Sequence, residues 1–205
     1  YTVHPAFTFG NKNLGGMWVS KFEASAIPTS NCNLSADAKT CNNTKTVVNI
    51  TPNKNAWRYI TIGNAYKVSS LMSTNTATFG LSSTRVDTHL MKNTEWGAVA
   101  YLSQSKYGKY GKGGKEIFPN KYFNTTTLTG CTSGASGNGL SLLTTCQDSK
   151  GNKLNYNYEA SYSGSTSGTI YGIFDMSGGV WEYVMGNFNR NEASGEIVLN
   201  DIYEE

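Results

Sequence analysis

Charge is what this chain has least of: only 15% of its 205 residues are Asp, Glu, Lys or Arg, against about a quarter in an average soluble domain. That scarcity argues against a cytoplasmic enzyme. Polarity falls instead to Asn, Ser, Thr and Gly, a composition suited to a secreted or surface-displayed protein with long, turn-rich loops. Arginine stands only at Arg58, Arg85 and Arg190, and the formal net charge is +3, too mild an excess to point to a nucleic-acid or membrane partner. Histidine is limited to the isolated His4 and His89, and Cys-x-x-Cys is missing, which weighs against zinc. No apolar run approaches the ~18 residues that span a bilayer. The opening Tyr1-Thr-Val-His-Pro-Ala6 has neither a basic start nor an apolar stretch, and there is no initiator Met. The expectation is therefore a processed chain, or one excised from something longer.

Aromatic side chains are plentiful, with 13 Tyr, 8 Phe and 4 Trp, too much apolar payload for a disordered chain. The length allows one domain with a sizeable core, or two small ones. Four cysteines form two local pairs, Cys32 with Cys41 and Cys131 with Cys146, each spanning a polar stretch. Four cysteines allow three connectivities. Nearest-neighbour disulfides are expected, because each then closes a loop within one segment. Disulfides imply an oxidising compartment, and so an extracellular, cell-surface or virion-surface location.

Along the chain, Gly15-Gly-Met-Trp-Val-Ser-Lys-Phe-Glu23 alternates Met17, Val19 and Lys21 with Trp18, Ser20 and Phe22, the pattern of a strand entered from a Gly-Gly turn. Residues 24–55 are polar and read as an insertion loop, with Val47-Val-Asn-Ile50 a short strand inside it. A helix is expected over residues 61–73, since Ala65, Val68 and Met72 recur at three-to-four spacing beside Leu71, with Thr61 as cap. Residues 74–88 read as loop. A second helix is expected over residues 93–105, capped by Asn93, with Glu95 in the first turn where the dipole favours an acid. On it Trp96, Val99, Ala100 and Ser103 share a face that reads as core packing. Lys106-Tyr-Gly-Lys-Tyr-Gly-Lys-Gly-Gly-Lys115 reads as a solvated loop; interleaved Lys and Tyr suit single strands, but no nucleic-acid motif accompanies them, and no nucleic acid is expected. Residues 124–168 are loop-like, and their Tyr156, Tyr158 and Tyr162 have the composition of a ligand-facing recognition loop. Asn42, Asn49 and Asn124 each begin an Asn-x-Thr sequon.

The densest segment is Tyr171-Gly-Ile-Phe-Asp-Met-Ser-Gly-Gly-Val-Trp-Glu-Tyr-Val184. Ile173, Phe174 and Met176 suit a core, Gly178-Gly179 lets the backbone turn, and Trp181 is a large anchor with Glu182 beside it. This segment resembles the Gly-Leu-Tyr-Asp-Met-x-Gly-Asn-Val-Trp-Glu-Trp signature of the formylglycine-generating-enzyme family. Three further blocks resemble that family in the same order: residues 17–23 with Trp18, residues 57–73, and Leu90-Met-Lys-Asn-Thr-Glu-Trp-Gly-Ala-Val-Ala-Tyr101, where Glu95 and Trp96 are in register. The blocks extend over nearly the whole chain.

The resemblance implies an α+β, C-type-lectin-like fold: one domain over residues 1–205, two helices flanking small, mostly antiparallel sheets, and long loops. Its signature residues would be Trp18, Trp96, Asp175, Gly178, Trp181 and Glu182. His4-Pro-Ala-Phe-Thr-Phe-Gly10 and Asn93-Thr-Glu-Trp-Gly-Ala-Val-Ala-Tyr-Leu-Ser103 resemble non-enzymatic bacterial surface and pilin-associated members, some of them targets of diversity-generating retroelements. The expected function is a displayed ligand-binding domain, an adhesin or receptor-binding module for a host, prey or glycan ligand. A structural subunit of a pilus, filament or phage tail is the alternative. The family's enzymes are oxidases that need two copper-holding cysteines downstream of Trp-Glu, and none follows Cys146, so no catalytic residue is assigned. Calcium, which family members hold near the late turns, would draw on Asp175 and Glu182, with Gly179 in place of the usual Asn. Related domains continue past the equivalent of Glu205, so the chain is expected to lack its C-terminal part. Self-assembly, or completion of a sheet by a strand of another chain, is the corresponding partner expectation.

Overall fold

The computed structural model describes residues 3–9, 11–30, 32–34, 38–108, 150, 156, 162, 164–176, 182–185, 189–191 and 196–198. They form an α+β arrangement of short elements. Strands β1 (Thr8–Phe9) and β2 (Lys12–Asn13) make a hairpin, β3 (Ser25–Ala26) pairs with β4 (Val48–Asn49), and β5 (Asn189–Asn191) pairs with β6 (Glu196–Val198), all antiparallel. Among the described residues three α-helices lie between β4 and β5: α1 (Ile62–Ser70), α2 (Thr76–Phe79) and α3 (Asn93–Tyr101). Among the described residues no helix is long and apolar enough to cross a membrane.

The main core is assembled around β3, β4 and α1. Ala26, Val48, Trp57, Ile60, Ala65 and Val68 are buried together with Leu34 and the Cys32–Cys41 disulfide. Helix α1 follows from its stripe: Ala65 and Val68 face this core, and Met72, in the 3-10 turn Leu71–Ser73, packs against it. Thr61 is the N-cap, but its side chain does not close the first turn. Instead Asn42 Oδ1 accepts the Thr61 N–H (3.0 Å) and the Asn64 amide (2.8 Å), satisfying an orphan donor from a distant loop.

The segment read as an insertion loop is thus part of the core. Ser25, Ala26, Cys32, Leu34, Cys41, Thr46 and Val48 are buried, with Cys32 at 1% and Cys41 at 0% exposure. Its asparagines make turns: Asn43 Oδ1 accepts the N–H groups of Lys45 (2.9 Å) and Thr46 (3.0 Å) and the Thr46 hydroxyl. Side-chain amides that substitute for backbone partners let a polar stretch fold tightly. The indole N–H of Trp57 donates to the Cys41 carbonyl at 3.2 Å, and buried Arg58 Nη2 donates to the Leu34 carbonyl at 2.6 Å.

Residues 14–24 form no strand. Among the described residues two long-range backbone ties hold them: the Lys21 carbonyl accepts the Phe174 N–H at 2.9 Å, and the Ala24 carbonyl accepts the Trp57 N–H at 2.8 Å. Trp18 is fully exposed at 103%, so its ring stands in solvent and anchors nothing inside. Helix α2, within the stretch read as loop, is closed at both ends: Asn75 Oδ1 accepts the Thr78 N–H, and Gly80 adopts φ 66° at the C-cap, the left-handed conformation glycine takes without strain. Helix α3 begins one residue earlier than expected at its cap, with Lys92 rather than Asn93 at that position. Val99 is buried on it, and Ser103 in the following 3-10 turn. The helix lies against the 3-10 turn Pro5–Phe7, which His4 caps by accepting the Ala6 N–H at 3.1 Å.

Candidate binding cavity at the Trp96–Glu182 contact

Local sequence sets the course of the late signature segment. Thr166 N–H donates to the Ile173 carbonyl (2.9 Å) while the Thr166 hydroxyl accepts the Ile173 N–H (3.0 Å). Ser165, fully buried, donates to the carbonyls of Tyr162 and Thr169. Gly172 packs so closely on Ser165 that a Cβ there would stand 2.5 Å from the Ser165 Oγ, which explains a glycine between Tyr171 and Ile173. Asp175 then takes φ 57°, a left-handed turn that Asp tolerates better than most side chains.

Phe174 is the hub of this region, at 2% exposure. Phe22 stacks on it (5.7 Å between centroids), and Tyr156 (5.5 Å) and Tyr162 (6.4 Å) meet it edge-on. Lys21 Nζ sits 5.1 Å from the Tyr156 ring and donates to its hydroxyl at 3.4 Å. Tyr156 and Tyr162, expected in a ligand-facing loop, are therefore half-buried packing partners. Tyr158 lies outside the described residues, as do Gly178, Trp181, Cys131 and Cys146.

The last part of the segment docks on the entry to α3. Met185 N–H donates to the Met91 carbonyl (2.9 Å), the Asn93 N–H donates to the Met185 carbonyl (3.3 Å), and Lys92 and Met185 form a parallel bridge. The indole N–H of Trp96 donates to Glu182 Oε2. Two blocks 86 residues apart in sequence thus meet through their own signature side chains.

Behind that contact lies a cavity of about 190 Å³. Its floor is buried and apolar, made by Val48, Trp57, Ile60, Ala65, Val68 and Phe174, while exposed Ser20, Ala24, Glu182 and Tyr183 mark the mouth. Such a site can enclose a compact apolar group, with a few polar atoms at the rim to orient it. Glu182 is exposed along its length, but burial of its carboxyl, opposed by the Trp96 hydrogen bond and reinforced by the charge of Asp175, pushes its pKa up to about 7. The consequence for stability has a definite sign. The unfolded chain releases this proton near the ordinary 4.5 and the folded chain near 7, so between those values the folded state holds more protons and stability falls as pH rises. Urea denaturation from pH 4.5 to 8 is expected to show this decline levelling off above about 7. In Glu182→Gln that component of the slope disappears; an unchanged slope would refute the assignment.

Asp175 and Glu182 are close enough to interact electrostatically, as a calcium pair would be. A hard cation takes roughly six to eight oxygens, and among the described residues no group of three or more His, Cys, Asp or Glu is placed to hold a metal. One Glu182 oxygen is already engaged by Trp96. These two side chains do not fit a calcium centre by themselves.

One cluster escaped the sequence reading, in which His89 stood isolated. His89 Nδ1 lies 2.6 Å from Asp87 Oδ2, and Nε2 lies 3.2 Å from Glu95 Oε2. The hydrogen bond with Glu95, outweighing burial, raises the His89 pKa. Burial works to raise that of Glu95, but hydrogen bonds from His89 and from the Lys92 N–H (2.8 Å) hold it below the usual carboxylate range. The result is a histidine–carboxylate clasp on the first turn of α3. Its only sequence signal was Asp-x-His placed six residues before a helix-opening Glu.

Comparison of the chain with protein-family models, with curated proteins and with solved structures finds no match.

Proposed function

We propose that this chain is a non-enzymatic, C-type-lectin-like binding domain displayed on a cell or virion surface, where it recognises a glycan ligand. The observation that carries this reading is the pair of bare aromatic rings on two tied segments. Trp18 is 103% and Tyr171 89% exposed, and their segments are joined by the hydrogen bond between Phe174 and Lys21. Large aromatic rings lose little conformational freedom on binding and dominate the energetics of recognition surfaces. Their apolar faces suit the apolar faces of sugar rings. The buried Cys32–Cys41 disulfide supports an oxidising compartment. A closed disulfide also offers no thiolate for copper, so that pair lends nothing to an oxidase.

A glycan array, followed by titration of the best ligand, tests the reading. Saturable binding is expected, weakened about 30-fold in Trp18→Ala, the ~2 kcal/mol of a recognition hot spot. The melting temperature should stay within about 2 °C of the parent, because an exposed side chain contributes little to folding. The absence of saturable binding to any glycan, or parental affinity in Trp18→Ala, would sink the proposal.

A further inference from the structure

The cavity behind the Trp96–Glu182 contact has a chemistry that the exposed rings do not share. Among the described residues its walls carry two carboxylates, Glu23 and Glu182, and no basic side chain; the nearest ammonium is that of Lys21, 5.8 Å from the Phe22 ring and 5.9 Å from the Phe174 ring. The same walls present the aromatic rings of Phe22, Trp57, Trp96, Phe174 and Tyr183. Aromatic faces and carboxylates both attract an organic cation, the first through the ring quadrupole and the second by charge. The gradient of exposure from mouth to floor further fixes an orientation. A charged group belongs at the rim beside Glu182, and an apolar body belongs against Val68 and Phe174.

We propose that this cavity is a binding site for a small primary ammonium with a compact apolar body, the ammonium pairing with Glu182 at the mouth. Size sets the body. An engineered apolar cavity of about 150 Å³ holds benzene, so a space of about 190 Å³ takes a phenyl or cyclohexyl group with a short linker. Neutral molecules of the same shape would gain the floor but not the rim. Anions would meet Glu23, Glu182 and, close by, the charge of Asp175. This site is independent of the Trp18 surface, and its occupant is a small molecule.

Isothermal titration of the full chain at pH 8 with 2-phenylethylamine, 2-phenylethanol and phenylacetate tests the proposal. The amine is expected to bind one to one, the alcohol at least about tenfold more weakly, a difference of ~1.4 kcal/mol, and phenylacetate not measurably. Glu182→Gln should bring the amine down to the affinity of the alcohol while leaving the alcohol unchanged. Ala24→Trp, which plugs the mouth from an exposed position, should abolish both. Trp18→Ala should alter neither, which separates this site from glycan recognition. The proposal is overturned if amine and alcohol bind alike, if Ala24→Trp binds at parental strength, or if a cooperatively unfolding chain binds none of the three.

Discussion

Replacing Cys32 and Cys41 together by serine is expected to cost about 5 kcal/mol of stability or more. Closing so short a loop, with the cysteines nine residues apart, is worth roughly 3 kcal/mol in the chain-entropy account. The remainder comes from two hydroxyls left where the sulfurs are 0% and 1% exposed, since an unsatisfied buried polar group costs about 1–3 kcal/mol. For a chain of this size the midpoint should fall by roughly 10 °C or more. The double replacement by alanine separates the two contributions, because it removes the link without burying hydroxyls. Equilibrium denaturation of the three proteins reads the difference directly. A loss below about 1 kcal/mol in the serine variant would mean that the bridge clamps a peripheral loop, contrary to its place beside Trp57 and Val68.

Phe174→Ala is the second large effect, at about 3–5 kcal/mol, the range for deleting a buried aromatic ring. Its ring is the shared surface of Phe22, Tyr156 and Tyr162, so the loss extends beyond one cavity. Phe174→Leu keeps much of the volume and should cost under about 1.5 kcal/mol. The local readout is tyrosine accessibility. Iodination or hydrogen exchange at Tyr156 and Tyr162 should rise sharply in Phe174→Ala and little in Phe174→Leu. Equal labelling of the two variants would show that these tyrosines are held by something else.

How far the sequence could be read divides along physical lines. Helix α1 was legible because Ala65, Val68 and Met72 repeat at helical spacing on one face, and that periodicity follows directly from burial. The second long helix was legible from Glu95, whose carboxylate closes the first turn. Strand β4 was legible from Val48, and the first disulfide from the nearness of its cysteines. Burial within residues 24–55 was not, because few apolar residues there do the packing and asparagine side chains supply the turns. A composition average hides both. Trp18 misled for a different reason: alternation predicts which faces a strand would have, but not whether a sheet exists to receive one. Of the site, Glu182 and Trp96 were singled out from the sequence, yet their contact was not, since it depends on how Met185 docks against Met91 and Asn93. His89 was overlooked because Glu95, in the first turn of α3, reaches it only once the helix entry has formed.

The composition of the main core has a consequence for how the chain folds. Its buried members run from Ala26 to Val68, and the half-buried residues against it end at Leu90. Contacts of such short range close with a small loss of loop entropy and favour early, rapid formation. A ribosome-bound chain is expected to complete this nucleus before residues 171–185 have been synthesised, since domains begin to fold from the part that emerges first. The signature segment then arrives as a latecomer, and Trp96 waits on a preformed surface for Glu182.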